Sequence, residues 1–261
     1  MKTLQLSFQV FDDLCLGMER GLITSEILSS LEVVSLCPVV EAWHQSHLFE
    51  SNELSLSCVH SPLTSRLLED FSTGRSSPQL NGSKTGWIIG EELFESEPVW
   101  LGFIMRAKKA ASNVGFDRRT VNGITGALEE FRSNISEHSE NQMSGYAAFL
   151  GDKGIFEFVV GDSGIGVLNS LKCKEEYSKL SDYGEALRLA LTEGISRHDD
   201  VGRGNGFRPL LVGLANIAGH VRFRSGDHSY EIDNISPCDI RTNIYQKVHM
   251  KGFSCATSFY L

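Results

Sequence analysis

Two helical patterns followed by two strand patterns organise the C-terminal two thirds of this 261-residue chain. Apolar residues recur at helical spacing over residues 98–113 and again over residues 122–139, which predicts two amphipathic helices. Two short apolar runs, residues 146–150 and 155–160, come next, and the tetrapeptide between them, residues 151–154, has the composition of a hairpin turn. This order of elements predicts helices packed on an antiparallel or mixed sheet.

The chain is predicted to be α+β and to have two domains. We place the division after residue 95, because the stretch 71–86 is rich in Ser, Gly, Pro and Asn and is typical of a linker. Residues 96–261 are predicted to form a two-layer sandwich, in which helices cover one face of a mixed, mainly antiparallel sheet. Residues 1–95 are predicted to form a small α/β domain, a candidate for docking a partner, without any motif that carries chemistry.

The other predicted elements are shorter. In the N-terminal domain they are strands at residues 4–10 and 54–59, a helix at residues 23–43 that Pro38 should end or bend, and a helix at residues 63–71. In the larger domain they are helices at residues 183–191 and 207–218, and strands at residues 221–225, 229–235 and 254–261.

Composition and charge exclude several classes of protein. A formal net charge of -9 argues against non-specific nucleic-acid binding, which requires clustered Lys and Arg. The N-terminus has Asp12 and Asp13 among its apolar residues, unlike a signal peptide, and no run reaches the roughly 18 apolar residues that cross a bilayer. The six cysteines are dispersed and none forms a CxxC pair. We therefore expect a cytoplasmic protein with reduced thiols and no membrane partner.

The first candidate motif lies on the second amphipathic helix. Glu130 and Asn134 are four residues apart, so on a helix they share one face. An amide oxygen can coordinate a hard cation such as magnesium, and a carboxylate can take a proton from water. Taken alone, this spacing is more often found on an ordinary solvated helix face.

The second motif follows the predicted strand 155–160. The sequence Val-Val-Gly-Asp-Ser-Gly-Ile-Gly places Asp162 at the end of the strand, with Gly164 and Gly166 after it. A carboxylate at a strand end can accept a hydrogen bond from an exocyclic amine, and glycines allow a flat base to approach the backbone. A simple tight turn explains one of the glycines, but not the whole set with Asp162.

The third motif is a run of alternating glycines before a predicted helix. Gly202, Gly204 and Gly206 leave backbone N–H groups unhindered, and a helix N-terminus adds partial positive charge, so together they can cradle a phosphate. The pattern is not a P-loop, since GxxxxGK[ST] is absent. By itself it is equally typical of a flexible loop.

The order and spacing of the three motifs resemble the GHKL superfamily of ATP-binding proteins, which includes gyrase, the heat-shock chaperone, histidine kinases and MutL. The resemblance covers about the last 160 residues. It implies that Glu130 is the general base, that Asn134 holds magnesium, and that Asp162 accepts a hydrogen bond from the adenine amine. It also implies an ATP lid over residues 168–201, with the phosphates on the backbone of residues 202–206.

Several neighbouring residues have two explanations. His138 lies one turn beyond Asn134, as in the anti-sigma-factor kinases, and either faces the site or packs the helix end. Arg203, like Arg197 and His198, either contacts the γ-phosphate or is a solvated charge of the loop. Thr257 lies where the family often has a Gly-Thr pair, but Ala256 replaces the glycine.

The chain lacks the features of several subfamilies. None of His44, His47 and His60 has the context of a phospho-accepting histidine, and we expect no transducer domain of the gyrase or MutL type. We predict a Mg-ATP-binding signalling protein that hydrolyses ATP slowly and uses lid closure to control a protein interaction, with a homodimer as one form of assembly. The alternatives are a protein serine/threonine kinase of the anti-sigma-factor type and a non-hydrolysing, ATP-dependent binding module.

Overall fold

A computed structural model describes residues 4–56, 65–78, 83–94, 96–193, 207–236 and 239–261. The chain divides into two compact units, Met1–Ser77 and Pro78–Leu261. The division falls earlier than the predicted one after residue 95, because the strand Thr85–Ile89 pairs with the sheet of the larger unit. Each unit is described by itself below.

The N-terminal unit is mainly helical. Its two short strands, Leu4–Gln5 (β1) and Leu31–Glu32 (β2), pair in parallel. Its helices are Phe8–Glu19 (α1), Ser25–Ser29 (α2), Leu36–His44 (α3), Ser46–Ser51 (α4) and Ser65–Ser72 (α5).

Two of its predicted elements are wrong. The predicted strand 4–10 is strand only at Leu4–Gln5, because the Ser7 side chain accepts a hydrogen bond from the backbone N–H of Val10 and caps α1. The predicted helix 23–43 is divided into α2, β2 and α3. Pro38 neither ends nor bends α3, because it lies in the first turn, where its missing N–H removes no helical hydrogen bond.

Two other predictions in this unit fall partly outside the described residues. The helix predicted at residues 63–71 is found as α5, which is described from Ser65. The strand predicted at residues 54–59 is not found over residues 54–56, and its remainder lies outside the described residues.

The larger unit is built on one five-stranded sheet. Its strands are Thr85–Ile89 (β3), Tyr146–Asp152 (β4), Ile155–Asp162 (β5), His220–Ser236 (β6) and Asp239–Tyr260 (β7). They lie in the order β3-β4-β5-β7-β6, and every neighbouring pair is antiparallel, so the sheet is not mixed. The α+β class predicted from the sequence is confirmed.

Helices pack against one face of this sheet. They are Glu91–Phe94 (α6), Glu97–Val114 (α7), Arg118–His138 (α8), Gly166–Lys172 (α9), Tyr183–Arg188 (α10) and Phe207–Ala215 (α11). The two long helices agree with the predicted pair, although α8 begins earlier because the Asp117 side chain accepts a hydrogen bond from the backbone N–H of Thr120. Phe131 of α8 meets the rings of Phe158 and Phe223 from the sheet, at centroid distances of 6.2 Å.

The last two strands are longer than predicted. Residues 226 and 227, which separate the predicted strands 221–225 and 229–235, form a bulge inside β6 rather than a turn, and Gly226 has a φ of 61°. Strand β5 pairs with β7 only over Phe253–Tyr260, so the outer parts of β6 and β7 form a two-stranded ribbon that continues past β5. The ribbon begins next to Asp162, the last residue of β5.

Three further observations on the described residues concern membrane-spanning helices, metal sites and cysteines. No helix among them is long and apolar enough to cross a membrane. Within the same residues, no group of three His, Cys, Asp or Glu side chains is placed to hold a metal ion. The four cysteines that the structure describes are free thiols, and three of them, Cys15, Cys37 and Cys255, are buried.

Candidate functional site

The carboxyl group of Asp162 is buried at the end of the central strand β5. The residue is 4% exposed, and its Oδ1 accepts a hydrogen bond of 2.8 Å from the backbone N–H of Gly164. Burial raises the pKa of this carboxyl to about 7, because the charged form loses its hydration, and the Gly164 hydrogen bond only partly offsets this. A buried carboxyl of this kind can hydrogen-bond to a ligand either as an acceptor or, when protonated, as a donor.

Both glycines of the second motif are required by close contacts within the protein. A side chain at Gly164 would collide with the carbonyl oxygen of Ser139. Gly166 has a φ of 73°, and an added Cβ would lie 2.9 Å from both the carbonyl oxygen of Gly252 and the Oγ of Ser225. These contacts explain the glycines without a ligand, so the glycines alone do not identify a binding site.

The turn at residues 163–165 is bonded to the segment that follows α8. The backbone N–H of Ile165 donates to the carbonyl oxygen of Ser139 at 2.9 Å. The backbone N–H of Ser163 donates to the Oγ of Ser144, also at 2.9 Å. The C-terminal end of α8 is therefore held against the Asp162 turn, and the structure brings the ends of the first two motifs together.

Helix α8 faces the core with one side and carries Glu130 and Asn134 on another side. Phe131 and Ile135 are fully buried, whereas Glu130 is exposed and Asn134 is half-buried. Asn134 and Glu130 precede Ser139 by about 7 Å and 13 Å of helix rise, respectively. A ligand reaching from Asp162 to both residues would therefore have to be elongated.

One contact indicates which way this side of α8 points. Gly123 lies two turns before Glu130 on the same side, and an added Cβ there would lie 2.9 Å from the Cδ1 of Ile217. Ile217 lies two residues after the end of α11, and α11 contacts α8. The side of α8 that carries Glu130 and Asn134 thus continues from a surface that packs against the α11 segment.

Two of the remaining predicted site residues have a described position, and the others lie outside the described part of the chain. His138 is half-buried in the last turn of α8, immediately before Ser139. Thr257 is fully buried within β7, opposite Phe158. The predicted residues that lie outside the described part of the chain are Gly202, Arg203, Gly204 and Gly206, together with Arg197 and His198.

The predicted lid is not a single loop. Its described part, up to residue 193, contains α9, α10 and a π-helical turn at Leu189–Glu193. Leu171, Leu187 and Leu191 are buried in the same core as the sheet. The helix predicted at residues 183–191 is found as α10 and the π-helical turn, and the role of residues 168–201 as an ATP lid stays a prediction.

The structure also shows residues that the sequence did not single out. The Oγ of Ser225, which is 1% exposed, accepts from the backbone N–H of Val167 at 3.0 Å and donates to the carbonyl oxygen of Gly252 at 2.7 Å. This hydroxyl joins the bulge in β6 to the start of α9 and to β7. No local pattern marks it, since a serine within a strand is ordinary, and the Gly226-Asp227 pair that follows it has the composition of a turn.

A cavity of about 410 Å³ lies beside this junction. Its lining includes Ser139, Gly164, Asn169, Ser225 and Gly252. Of the residues predicted to bind nucleotide, Gly164 and Gly166 line this cavity, whereas Glu130, Asn134 and Asp162 are not among its described lining residues. This cavity therefore adjoins the predicted nucleotide site, with which it shares the turn after Asp162.

Fold and site together define an α+β protein with helices on one face of an antiparallel sheet and a buried carboxyl at the end of the central strand. Comparisons with known proteins do not refine that class. No protein-family model matches the chain, and no curated protein shows a significant similarity to it.

Proposed function

We propose that the larger unit is a GHKL-type ATP-binding domain that binds ATP with magnesium. The observation that carries the proposal is the buried carboxyl of Asp162 on a turn bonded to the end of α8, the helix that presents Glu130 and Asn134. Helices on one face of a sheet support the proposed sandwich, although the sheet is wholly antiparallel rather than mixed. Gly202, Gly204 and Gly206, which precede α11 in the sequence, would supply the phosphate-binding backbone.

Each residue has a separate role in this proposal. Asp162 would accept a hydrogen bond from the adenine amine, and Asn134 would ligate the magnesium ion that bridges the phosphates. Glu130 would orient the attacking water as a general base. Because Glu130 is exposed in this conformation, water is not excluded around it, which favours slow turnover.

Calorimetric titration of the full chain with ATP and magnesium tests the binding step. We expect saturable binding that weakens at least about tenfold in Asp162→Ala, because the adenine amine loses its buried partner. Asn134→Ala should remove the magnesium dependence, whereas Asn122→Ala, an exposed asparagine on the same helix, should change neither quantity. Wild-type protein that binds no adenine nucleotide would end the proposal.

Phosphate release tests the enzymatic step separately. Glu130→Gln should lower the rate by about a hundredfold or more, whereas the neighbouring Glu129→Gln, which keeps an acceptor for the Trp100 indole, should not. Tight binding without turnover in the wild type would instead identify a non-hydrolysing module. Transfer of the γ-phosphate to a serine or threonine of an added protein would identify a kinase.

A further inference from the structure

The N-terminal unit contains an open groove that nucleotide binding does not explain. It has a volume of about 690 Å³ and lies between α4 and α5, with residues 54–56 at one side. All of its described lining residues belong to this unit. We call it the N-terminal groove and define it by Trp43, Phe49, Glu50, Leu68, Glu69 and Phe71.

The floor of the groove is apolar. The rings of Trp43 and Phe71 meet edge to face with centroids 4.5 Å apart. Phe49 and Leu68 are almost completely buried beside them, with exposures of 2% and 9%. These side chains are already packed, so the apolar surface that the groove offers to another molecule comes from the half-buried Trp43 and Leu54.

The length of the groove matches a helix. Its lining along α5 extends from Ser65 through Leu68 to Ser72, which is two helical turns or about 10 Å. On α4 the lining residues Ser46 and Phe49 are one turn apart. A partner helix that docks through residues i, i+3 or i+4, and i+7 needs a groove of about two turns.

The charge of this unit indicates the charge of the partner. Residues 1–77 contain ten Asp and Glu against four Lys and Arg, so this unit carries a formal charge of -6 out of the total of -9. Glu50 and Glu69 are exposed lining residues of the groove. Arg75 lies 3.7 Å from Glu69, but both side chains are mostly exposed, so this ion pair holds Glu69 only weakly.

We propose that the N-terminal groove binds a basic amphipathic helix of a partner protein, with the apolar side of the helix on Trp43 and Leu54 and its Lys or Arg residues near Glu50 and Glu69. The proposal does not depend on nucleotide binding, and its test needs no nucleotide. Failure of one leaves the other unaffected.

The probe is a fluorescently labelled 18-residue peptide of Leu and Lys with helical amphipathic spacing, compared by anisotropy with a scrambled peptide of equal composition. We expect the full chain to bind the amphipathic peptide more tightly than the scrambled one. The double variant Glu50→Lys and Glu69→Lys should weaken binding by about fivefold to tenfold. The double variant Glu19→Lys and Glu32→Lys alters two exposed carboxylates outside the groove and changes the net charge equally, so it should weaken binding much less.

A second pair of variants tests the groove by blocking it sterically, without any change in charge. Ser65→Trp places a large ring at the groove from an exposed position, whereas Ser51→Trp adds the same ring to an exposed position outside the described lining. Only Ser65→Trp should reduce binding, in protein whose thermal unfolding is unchanged. Equal weakening in the groove and control variants, or equal binding of both peptides, would overturn the proposal. So would a dimer of the wild type that dissociates in Ser65→Trp, because the groove would then hold a second copy of this chain.

Discussion

Asp162 is the residue on which both the candidate site and the pH response of the larger unit depend. Its position at a strand end is visible in the sequence, but its burial and its raised pKa arise from packing in the sheet and from the turn that covers it. Burial disfavours the charged carboxylate, and the single backbone hydrogen bond from Gly164 does not compensate fully. The folded protein therefore holds a proton on Asp162 at a pH where the unfolded chain has released it.

Replacing Asp162 by Asn should make stability less dependent on pH. The folded-state pKa is about 7 and the ordinary value is 3.8, so the contribution of Asp162 is fully present below 3.8 and is lost as the pH rises through about 7. Between about pH 5 and about pH 8 this loss amounts to about 2 to 3 kcal/mol. We expect the free energy of unfolding in denaturant to rise in Asp162→Asn relative to wild type as the pH increases across that range.

Asp152→Asn serves as the comparison for this measurement. Asp152 is exposed, and its hydrogen bond from Lys84 lowers the pKa of its carboxyl, so its contribution is lost as the pH falls rather than as it rises. Its replacement should not reproduce the trend. A constant difference between Asp162→Asn and wild type across the range would show that Asp162 is charged in the folded protein.

At the scale of single elements, the turn after β5 and the helix α8 use glycine for different reasons. Gly164 lies against the carbonyl oxygen of Ser139, where no side chain fits. Gly126, in the middle of α8, faces open space, because an added Cβ meets no described atom within 4 Å. The first glycine is required by tertiary contact, whereas the second only reduces the stability of the helix.

The two glycines should therefore respond oppositely to alanine. Gly126→Ala should raise the free energy of unfolding by roughly 0.5 to 1 kcal/mol, because alanine loses less backbone entropy in a helix. Gly164→Ala should lower it by about 1 to 3 kcal/mol, because the collision with Ser139 shifts the turn. Chemical denaturation of both variants checks this, and a Gly164→Ala protein as stable as wild type would contradict the packing described here.

At the scale of the whole molecule, the division of the chain depends on strand β3. Residues 85–89 pair with β4 along their whole length, so the larger unit begins before the predicted linker ends. The Arg106 guanidinium also donates to the carbonyl oxygen of Pro78 at 2.9 Å, which connects the first residue of this unit to α7. A domain cut at residue 96 would remove β3 and expose the edge of β4.

Two fragments test this division. Residues 78–261 should fold with a cooperative thermal transition, whereas residues 96–261 should melt at a lower temperature or aggregate, because β4 becomes an unpaired edge strand. Circular dichroism and size-exclusion chromatography compare the two fragments. Equal stability of both would show that β3 is dispensable and would favour a division near residue 95.

The amino-acid sequence by itself determined the elements with strong local signals. Helices α7 and α8 and strands β4 and β5 follow from apolar periodicity and a hairpin turn, and the α+β class follows from their order. The same local reading marked Asp162 and the glycines beside it. Their role in binding ATP stays a prediction.

Only the tertiary structure decided the features that depend on distant contacts. Residues 4–10 have the pattern of a strand, but most of them belong to helix α1 or its cap. The cap at Ser7 and the burial of one helix face favour the helix, which starts at Phe8. The bulge at Gly226, the long ribbon of β6 and β7, and the Ser225 hydroxyl that joins three segments require partners far away in the chain. Periodicity and capping are properties of neighbouring residues, whereas burial, strand pairing and the pKa of Asp162 depend on what the folded chain brings together.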